Sequence, residues 1–289
     1  LLTTYCLPYE RLSRLDGRVR CQYGLSQTIR FQGREPNLSA IPTHMGVVPV
    51  PEAVELHNCF IPSPGKVFLA WDLSQIEMRV LAHESQDSEM LRCFWADEDI
   101  HTRTAMDVFG LTEAEVKADE DRYRYPMKRT GLGIVYGLTG SGLYRQMEYE
   151  MPGTWTEAEC FKFIEIYLDA RPGVRQYMAD TIAIGRRTGE VRDLVGHRLL
   201  CPALRSPNDK MRQDEERRVI NFPEQAGGVS VMKAGMAAAY QELHPLSKDG
   251  PRRWRLQEHD AIKCEVDESW ADAVKPWVKE LLEGAMTLS

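Results

Sequence analysis

The sequence predicts an α+β protein in which a sheet carries helical insertions, and three observations support this class. An apolar run at residues 67–71 predicts a buried strand. Residues 253–258 and 262–266 predict two more strands joined by a short turn. Between about residues 84 and 205, apolar side chains recur at helical spacing, with glycine and proline breaks between the segments. A long helical insertion therefore separates the predicted strands.

Composition narrows the class of protein. With 289 residues, 43% hydrophobic and 27% charged, the chain is predicted to be globular, either one large domain or two interlocked ones. No apolar run is long enough for a membrane span. Seven cysteines without a Cys-x-x-Cys pair predict reduced, mostly buried thiols in an intracellular protein and no zinc site. Because the chain starts at Leu1, we expect it to be a piece of a longer one.

The charge pattern is uneven. The net charge of −7 disfavours a wholly basic, nucleic-acid-binding surface. Basic residues nevertheless cluster at 122–129 and 186–218. These clusters predict positive channels on an acidic body.

The first third of the chain predicts strands, a loop and a helix start. Residues 18–31 predict short strands, and residues 33–51 predict a loop rich in Pro and Asn. The apolar strand ends at Asp72. Ser74 and Glu77 then form a capping-box pattern that predicts the start of a helix.

Helical periodicity continues through the middle and into the last third. Residues 158–170 and 174–185 predict two helices inside the insertion. Two more are predicted at 215–220 and 228–243, separated by an Asn-Phe-Pro break.

Asp72 and Asp260 are the first candidates for chemistry. Each is predicted where a strand meets a turn, so the two carboxylates could meet in space despite their separation in sequence. Such a pair can hold two magnesium ions about 4 Å apart, one at the attacking and one at the leaving oxygen. The alternative is that Asp72 is a helix cap and Asp260 a turn former.

A second candidate is the pattern RxxxKxxxLGxxYG, which places Arg124, Lys128, Leu132 and Tyr136 at four-residue intervals. On a helix these positions form one stripe, and its cations suit a triphosphate. Pro126 fits the first turn of such a helix. The alternative, a solvated basic face, leaves unexplained the glycines at 131 and 133, which each cost about 1 kcal/mol relative to alanine.

These segments together resemble family A DNA polymerases. Residues 72–79 (DLSQIEMR) resemble motif A of the family, residues 124–137 resemble motif B, and residues 258–260 (EHD) resemble motif C. The motifs occur in the family's order. Further matches lie at Arg30 and in residues 36–38, 41–42, 99–102 and 221–225, so the similarity covers nearly the whole chain.

The resemblance implies the polymerase right-hand fold. An antiparallel-sheet palm would comprise residues 1–83 and 206–289, and helical fingers would comprise residues 84–205. The thumb would be largely absent, with it and any nuclease domain preceding Leu1. The implied partners are primer-template DNA and dNTPs, in the cytoplasm of a bacterium or of a phage-infected host cell.

The resemblance also implies residue roles. Asp72, Asp260 and the carbonyl of Leu73 would bind two Mg²⁺ ions, with Mn²⁺ as a substitute, and Lys128 would act in catalysis. Glu77 resembles the steric gate that selects deoxyribose. The implied nucleotide contacts are Leu73, Gln75, Glu77, His101, Arg124, Lys128, Leu132 and Tyr136. The implied DNA contacts are Arg30, Asn37, Tyr136, Arg217, Asn221, Gln225 and His259.

Two positions depart from the family pattern. Ala261 stands where motif C usually has a second acid, and Leu132 stands where cellular members mostly have Phe or Tyr. Some phage-encoded members resemble this chain at 132, which favours a phage source. Two alternatives stay open: an RNA polymerase on the same palm, which Glu77 disfavours, and an inactive polymerase-like module that only holds DNA.

Overall fold

The computed structural model describes residues 5–41, 56–243, 252–258 and 260–288. They form helices and antiparallel strands, which confirms the predicted α+β class. The strands are β1 (Gln22–Leu25), β2 (Phe31–Arg34), β3 (Lys66–Asp72), β4 (Glu190–Arg192), β5 (Arg198–Leu200), β6 (Arg252–Glu258) and β7 (Ala261–Asp267). The helices are α1 (Leu7–Ser13), α2 (Ile76–Ser85), α3 (Ser88–Trp95), α4 (Ile100–Phe109), α5 (Glu113–Ala118), α6 (Glu120–Val135), α7 (Gly140–Glu150), α8 (Glu157–Ala170), α9 (Pro172–Thr188), α10 (Asp209–Leu243) and α11 (Ala271–Gly284).

The chain divides into two compact units. The sheet unit comprises Leu1–Ser74 and Val229–Thr287, and the helical unit comprises Gln75–Gly228 with Leu288–Ser289. These bounds differ from the predicted divisions after residues 83 and 205. Helix α2 packs against α9, and the first part of α10 also belongs to the helical unit. The assignment of palm and fingers stays a prediction.

The sheet unit is built on three antiparallel strands in the order β3-β7-β6. In β3 and β7, Lys66 pairs with Asp267 at one end and Asp72 with Ala261 at the other. In β6 and β7, Glu258 also pairs with Ala261. The turn between β6 and β7 therefore lies beside the carboxyl end of β3.

The prediction that β3 is buried is wrong, although the strand itself is present. Alternate side chains point to opposite faces, and β3 is an edge strand of this sheet. Trp71 is 9% exposed and packs in a cluster with Ile262, Cys264 and Val266 of β7. Phe68 on the other face is 41% exposed. An unbroken apolar run thus corresponds here to a strand with only one packed face.

The core of the helical unit comes from α2, α3, α4, α6, α8 and α9, with Leu81, Met90, Ile100 and Tyr167 fully or almost fully buried. Helices α8 and α9 confirm the helices predicted at 158–170 and 174–185. The antiparallel pair β4–β5 was missed because each strand has only three residues, too few for an alternating pattern.

The predicted capping box at the start of α2 is wrong. The N-cap is Gln75, in a left-handed conformation with φ of 52°, and no side chain caps this end. The Glu77 carboxylate instead accepts a hydrogen bond from Tyr136 at 2.5 Å. A tertiary contact has replaced the local one that the pattern predicted.

The two predicted proline boundaries are also wrong. Pro126 lies inside α6, not in its first turn, because the helix begins earlier, where Asp119 accepts a hydrogen bond from the Arg122 amide at 3.2 Å. Pro223 lies inside α10, which is one continuous helix of 35 residues. An interior proline costs about 3 kcal/mol, and burial of the adjacent Phe222 helps to offset that cost.

The thiols are mostly buried, as predicted. All seven are free, and four of them are buried. None of the described helices is both long enough and apolar enough to cross a membrane.

Candidate active site

The strand register brings Asp72 and Asp260 together in the sheet unit, as the sequence predicted. Asp72 is the last residue of β3, and Asp260 lies in the turn immediately before β7. The amide of Leu73 donates a hydrogen bond to the carbonyl of Asp260 at 3.0 Å. This bond extends the β3–β7 ladder past Asp72 and fixes both backbones at the same edge of the sheet.

The proximity of the two carboxylates changes their electrostatics. The pKa of Asp72 is raised above its ordinary value, first by partial desolvation, then by the negative charge of Asp260 and a hydrogen bond between the two carboxyl groups. A nearby like charge disfavours the ionised form of a carboxyl group. A cation between them would remove that repulsion, so the pair has the electrostatics of a metal site.

The oxygen donors at this edge of the sheet suit Mg²⁺. The described residues contain no cluster of three His, Cys, Asp or Glu side chains that could hold a metal. Mg²⁺ is commonly bound through one or two carboxylates, with water and substrate phosphates as the other ligands. Asp72, Asp260 and a backbone carbonyl such as that of Leu73 therefore fit magnesium that is completed by substrate.

Ala261 lies directly opposite Asp72 in the β3–β7 register. Directly opposed residues of an antiparallel pair point to the same face of the sheet. An acid at 261 would therefore have placed a third carboxylate beside Asp72.

In the helical unit, the predicted cationic stripe lies on α6, and Tyr136 follows in the turn after the helix. Arg124 forms an ion pair with Asp99, with Nε at 2.6 Å and Nη2 at 3.3 Å from the two carboxylate oxygens. Asp99 is the N-cap of α4 and also accepts a hydrogen bond from the Thr102 amide at 3.0 Å. Residue 99 lies within one of the segments that match the family, but no role was predicted for it. An aspartate just before a helical pattern was the available signal for the cap, but nothing local indicated Arg124 as its partner.

His101 and Lys128 lie near the same ion pair. His101, in the first turn of α4, is 7% exposed. Burial lowers its pKa, the charge of Asp99 opposes this, and Arg124 and Lys128 lower it further. His101 is therefore neutral at pH 7, whereas the Lys128 side chain is exposed. Neutral His101 can take part in hydrogen bonds, and Lys128 supplies the solvent-facing positive charge.

Glycine explains how the stripe ends. The amide of Gly137 bonds to the carbonyl of Ile134 at 2.9 Å and that of Leu138 to Gly133 at 2.7 Å, a Schellman motif that closes α6. Gly137 has φ of 77°, and a Cβ there would lie 2.3 Å from Cγ of Arg217. The helix end thus needs glycine both for its backbone and for the approach of α10. Tyr136 lies immediately after the last residue of α6, and its hydroxyl donates a hydrogen bond to Glu77.

The glycines within α6 differ from each other. A Cβ at Gly133 would lie 2.9 Å from Cδ2 of Leu138, so a larger residue there would require the Leu138 side chain to shift. A Cβ at Gly131 would meet only ordinary contacts at 3.7 Å, and nothing in the structure explains it.

Three predicted DNA contacts lie on one face of α10. Arg217, Asn221 and Gln225 are spaced four residues apart. Arg217 packs against Gly137 and pairs with Asp214. The side-chain oxygen of Asn221 is buried and has no hydrogen-bond partner among the described residues. The side-chain oxygen of Gln75 is also buried and has no hydrogen-bond partner within the described part of the chain. A bound ligand or water could satisfy such acceptors.

For the other predicted DNA and nucleotide contacts, the structure shows local contacts that involve the backbone or does not describe the side chain. Arg30 precedes β2, and its amide bonds to the Ser26 hydroxyl at 3.1 Å. Asn37 is exposed and uses its side-chain oxygen to accept from the Ser39 amide at 3.1 Å. His259 lies outside the described residues. Leu132 lies in α6, but the prediction for its side chain falls outside what the structure describes.

Internal ion pairs reduce the charge of the predicted basic cluster at 186–218. Arg218 pairs with Glu215 at 2.7 Å, and Arg186 pairs with Glu216. A positive DNA channel therefore stays a prediction, and its charge is smaller than the count of arginines indicated.

Paired carboxylates at a sheet edge and cations on a helix are typical of proteins that act on metal-complexed phosphates. The sequence matches the family model of DNA polymerase family A over residues 1–289. The chain belongs to DNA polymerase family A, which confirms the resemblance described from its motifs.

Individual relatives agree with this assignment. The chain is 34% identical over 291 residues to the thermostable DNA polymerase I of Thermus filiformis, covering 100% of this chain and 33% of that protein. It is 33% identical over 281 residues to DNA polymerase I of Pseudomonas aeruginosa, covering 96% and 29%. The chain thus spans about a third of these relatives.

A solved structure agrees as well. The POL domain of Pol1 from M. smegmatis, in complex with DNA primer-template and dNTP, matches with a TM-score of 0.87 and 28% identity. The match covers 99% of this chain and 48% of that one. The possible phage source is tested by none of these comparisons and stays a prediction.

Proposed function

We propose that this protein is a DNA-directed DNA polymerase that adds deoxynucleotides to a primer paired with a template and releases pyrophosphate. Family membership supports the activity, and the related M. smegmatis structure contains primer-template and dNTP. The observation that carries the proposal is the juxtaposition of Asp72 and Asp260, whose charges repel in the absence of a cation. The primer 3′ oxygen would bond to the α-phosphorus while the bond from that phosphorus to the pyrophosphate oxygen breaks. The hydroxyl proton would pass to solvent.

Two Mg²⁺ ions are proposed as the cofactor, with Mn²⁺ as a substitute, held by Asp72, Asp260 and the Leu73 carbonyl. When bound, they would lower the pKa of the attacking hydroxyl and neutralise charge on the leaving pyrophosphate. The protein's own contribution would be to hold two anionic side chains at one edge of a sheet, on backbone that is hydrogen-bonded in the β3–β7 ladder. Ala261 does not argue against this role because two carboxylates are sufficient to bind Mg²⁺ when the substrate completes its coordination.

The helical unit is proposed to bind the nucleotide. Lys128 would contact the triphosphate as an exposed point charge and stabilise charge in the transition state. His101, neutral at pH 7, would contribute hydrogen bonding, and Arg124 would contribute a guanidinium already held by Asp99. Glu77 and Tyr136 would limit the space beside the sugar, and their mutual hydrogen bond fixes both side chains.

Primer-template DNA is the proposed macromolecular partner. Arg217, Asn221 and Gln225 form one face of α10, and the buried oxygen of Asn221 could accept a hydrogen bond from DNA or a bridging water. Arg30 and Asn37 are proposed as further contacts. If cations displace counterions from DNA, affinity should fall steeply as salt increases. An affinity independent of salt would contradict these contacts.

Primer extension by the complete protein tests the activity. We expect extension of a paired primer with dNTPs and Mg²⁺, and none after chelation of the metal. Ribonucleotides in place of dNTPs test the RNA polymerase alternative, which family membership disfavours. DNA binding without extension under any metal condition would favour the inactive module instead.

A further inference from the structure

One carboxylate in the helical unit has two different hydrogen-bond partners, Thr102 and Arg124. Asp99 accepts hydrogen bonds from the Thr102 amide at 3.0 Å and the Thr102 hydroxyl at 2.6 Å. It also accepts from Nε and Nη2 of Arg124 at 2.6 and 3.3 Å. The two bonds from Thr102 cap α4, and the two bonds from Arg124 attach the Arg124 side chain of α6 to this cap. Asp99 therefore joins the two helices that carry the predicted triphosphate contacts.

The electrostatics confirm that these contacts favour the charged form of Asp99. Burial alone would raise its pKa, but the hydrogen bonds from Arg124 and Thr102 lower it to about 2. Asp99 is therefore ionised throughout the physiological range. The pair is about one-third exposed on each side chain, so an anion from solvent can reach the guanidinium.

The geometry of the guanidinium decides which of its N–H donors remain available for a second anion. Asp99 occupies the edge formed by Nε and Nη2. Nη1 takes no part in either bond. A guanidinium has five donors in a rigid plane, so a carboxylate on one edge orients the other edge for a second anion.

We propose that Asp99 is a positioning residue for nucleotide binding, which holds Arg124 by one edge so that its other edge is presented to a phosphate of the nucleotide. The inference rests on the proposed function, because it assigns the second anion to the triphosphate. It differs from a purely structural role, in which Asp99 would only cap α4.

Substitution by asparagine separates the two roles. Asparagine is as good an N-cap as aspartate, so Asp99→Asn keeps the cap of α4. It loses the negative charge and one of the acceptor oxygens that hold Arg124. A thermal unfolding midpoint near that of the wild type would show that the cap is intact.

A double-mutant cycle then measures the coupling of the two residues. The variants are Asp99→Asn, Arg124→Gln and the double variant, each assayed in the complete protein for the KM and kcat of one dNTP. With Arg124 present, Asp99→Asn is expected to raise KM by roughly tenfold, with a smaller change in kcat. With Gln at 124, the same change is expected to alter KM less than about twofold.

Several outcomes would overturn the proposal. An equal effect of Asp99→Asn in both backgrounds would show that Asp99 acts independently of Arg124. An unchanged KM would show that the pair does not matter for the nucleotide. A lower KM would show that Asp99 competes with the nucleotide for Arg124.

Glu98→Gln is the matched control. Glu98 precedes Asp99 and forms a two-oxygen ion pair with Arg92, with both bonds at 2.7 Å. The control removes the same unit of charge from the same segment but does not touch Arg124. Its KM is expected to stay within about twofold of the wild type, because exposed pairs contribute little. A KM raised as much as in Asp99→Asn would mean that any loss of negative charge there has this effect, which would overturn the positioning role.

Failure of the proposed function is distinguishable from failure of this inference. If the wild type extends no primer, the polymerase proposal fails and the cycle is measured on binding instead. Calorimetric titration with dATP and Mg²⁺ then gives the four dissociation constants. Coupling between Asp99 and Arg124 in that titration would support positioning of a triphosphate without catalysis, and additivity would contradict it.

Discussion

The candidate sites of the sheet unit and of the helical unit arrange charge in opposite ways. In the sheet unit, Asp72 and Asp260 lie at one edge, and partial burial together with the charge of Asp260 raises the pKa of Asp72. In the helical unit, Arg124 is held by Asp99, which stays ionised through that contact. The first site places two like charges together, and the second pairs a negative charge with a positive one.

In the proposed function, this difference separates a catalytic arrangement from a binding one. Folding alone does not favour two adjacent carboxylates, and their presence is in line with the proposed metal site. A paired arginine is stable without substrate and can be ready in a defined orientation. We therefore expect variants of the sheet unit to remove chemistry, and variants of the helical unit to change which nucleotide is used.

The largest expected effect is in the sheet unit. Asp72→Asn and Asp260→Asn should each lower primer extension at least about a thousandfold, because they remove the charge that binds the metal. Primer-template affinity, measured by fluorescence anisotropy, should change little. Asp267→Asn, at the far end of the same β7 strand, is the control and should keep its activity. Substantial extension by either site variant would contradict the carboxylate assignment.

The next effect is in the helical unit and concerns the sugar. Glu77→Ala should raise ribonucleotide use relative to deoxynucleotide use by at least about tenfold, because a smaller side chain leaves room for a 2′ hydroxyl. Tyr136→Phe removes only the hydrogen bond to Glu77 and should change the ratio much less. Competition between the two substrates on one template gives the ratio. Equal changes in both variants would show that Glu77 acts by holding Tyr136 and not by its own bulk.

Leu132 provides a smaller test of the same unit. By resemblance to the family, position 132 adjoins the sugar, and a tyrosine there can supply a hydroxyl to a substrate that lacks its own. Leu132→Tyr should therefore improve dideoxynucleotide use relative to deoxynucleotide use by about 0.5 to 1.5 kcal/mol. Both substrates on one template give this ratio directly. An unchanged ratio with lower total activity would mean that Leu132 is a packing residue that tyrosine overfills.

The smallest expected effect is on the stability of the folded protein and involves Asp72 of the sheet unit. The folded pKa of Asp72 lies above its ordinary value of 3.8, so the folded state loses stability as pH rises from 3.8 through that raised pKa. The loss is complete at pH 7. Asp72→Asn removes it and, in metal-free buffer, should raise the free energy of unfolding by less than about 1 kcal/mol, because Asp72 is exposed and water screens its charge.

Thermal unfolding can detect this change as an increase of about 1 to 2 °C at pH 7, and a smaller one at pH 4. Mg²⁺ should raise the midpoint of the wild type but not that of Asp72→Asn. A variant that melts below the wild type at pH 7 would show that the carboxylates do not repel each other in the folded protein.

Local patterns predicted much of this site. The hairpin around Asp260 and the strand ending at Asp72 were both expected from alternation and turn residues, and the register then brought the two aspartates together. The stripe on α6 was expected from four-residue spacing. These predictions succeeded because side-chain direction along a strand or a helix is set by backbone geometry alone.

Local patterns failed where distant residues compete for the same group. Glu77 had the spacing of a capping box, but a hydrogen bond to Tyr136 takes its carboxylate. Pro223 had the signature of a helix break, but packing around Phe222 keeps α10 continuous. In both cases a tertiary contact outweighs a local preference of a few kcal/mol or less.

By itself, the sequence determined the α+β class, the family, and the residues that carry charge at the two sites. Only the tertiary structure decided which charges are balanced: Asp99 neutralises Arg124, while Asp72 and Asp260 are left facing each other. The physical reason is that the identity and local direction of a side chain are properties of nearby sequence. Its electrostatic partners are set by the packing of segments that are distant in the chain.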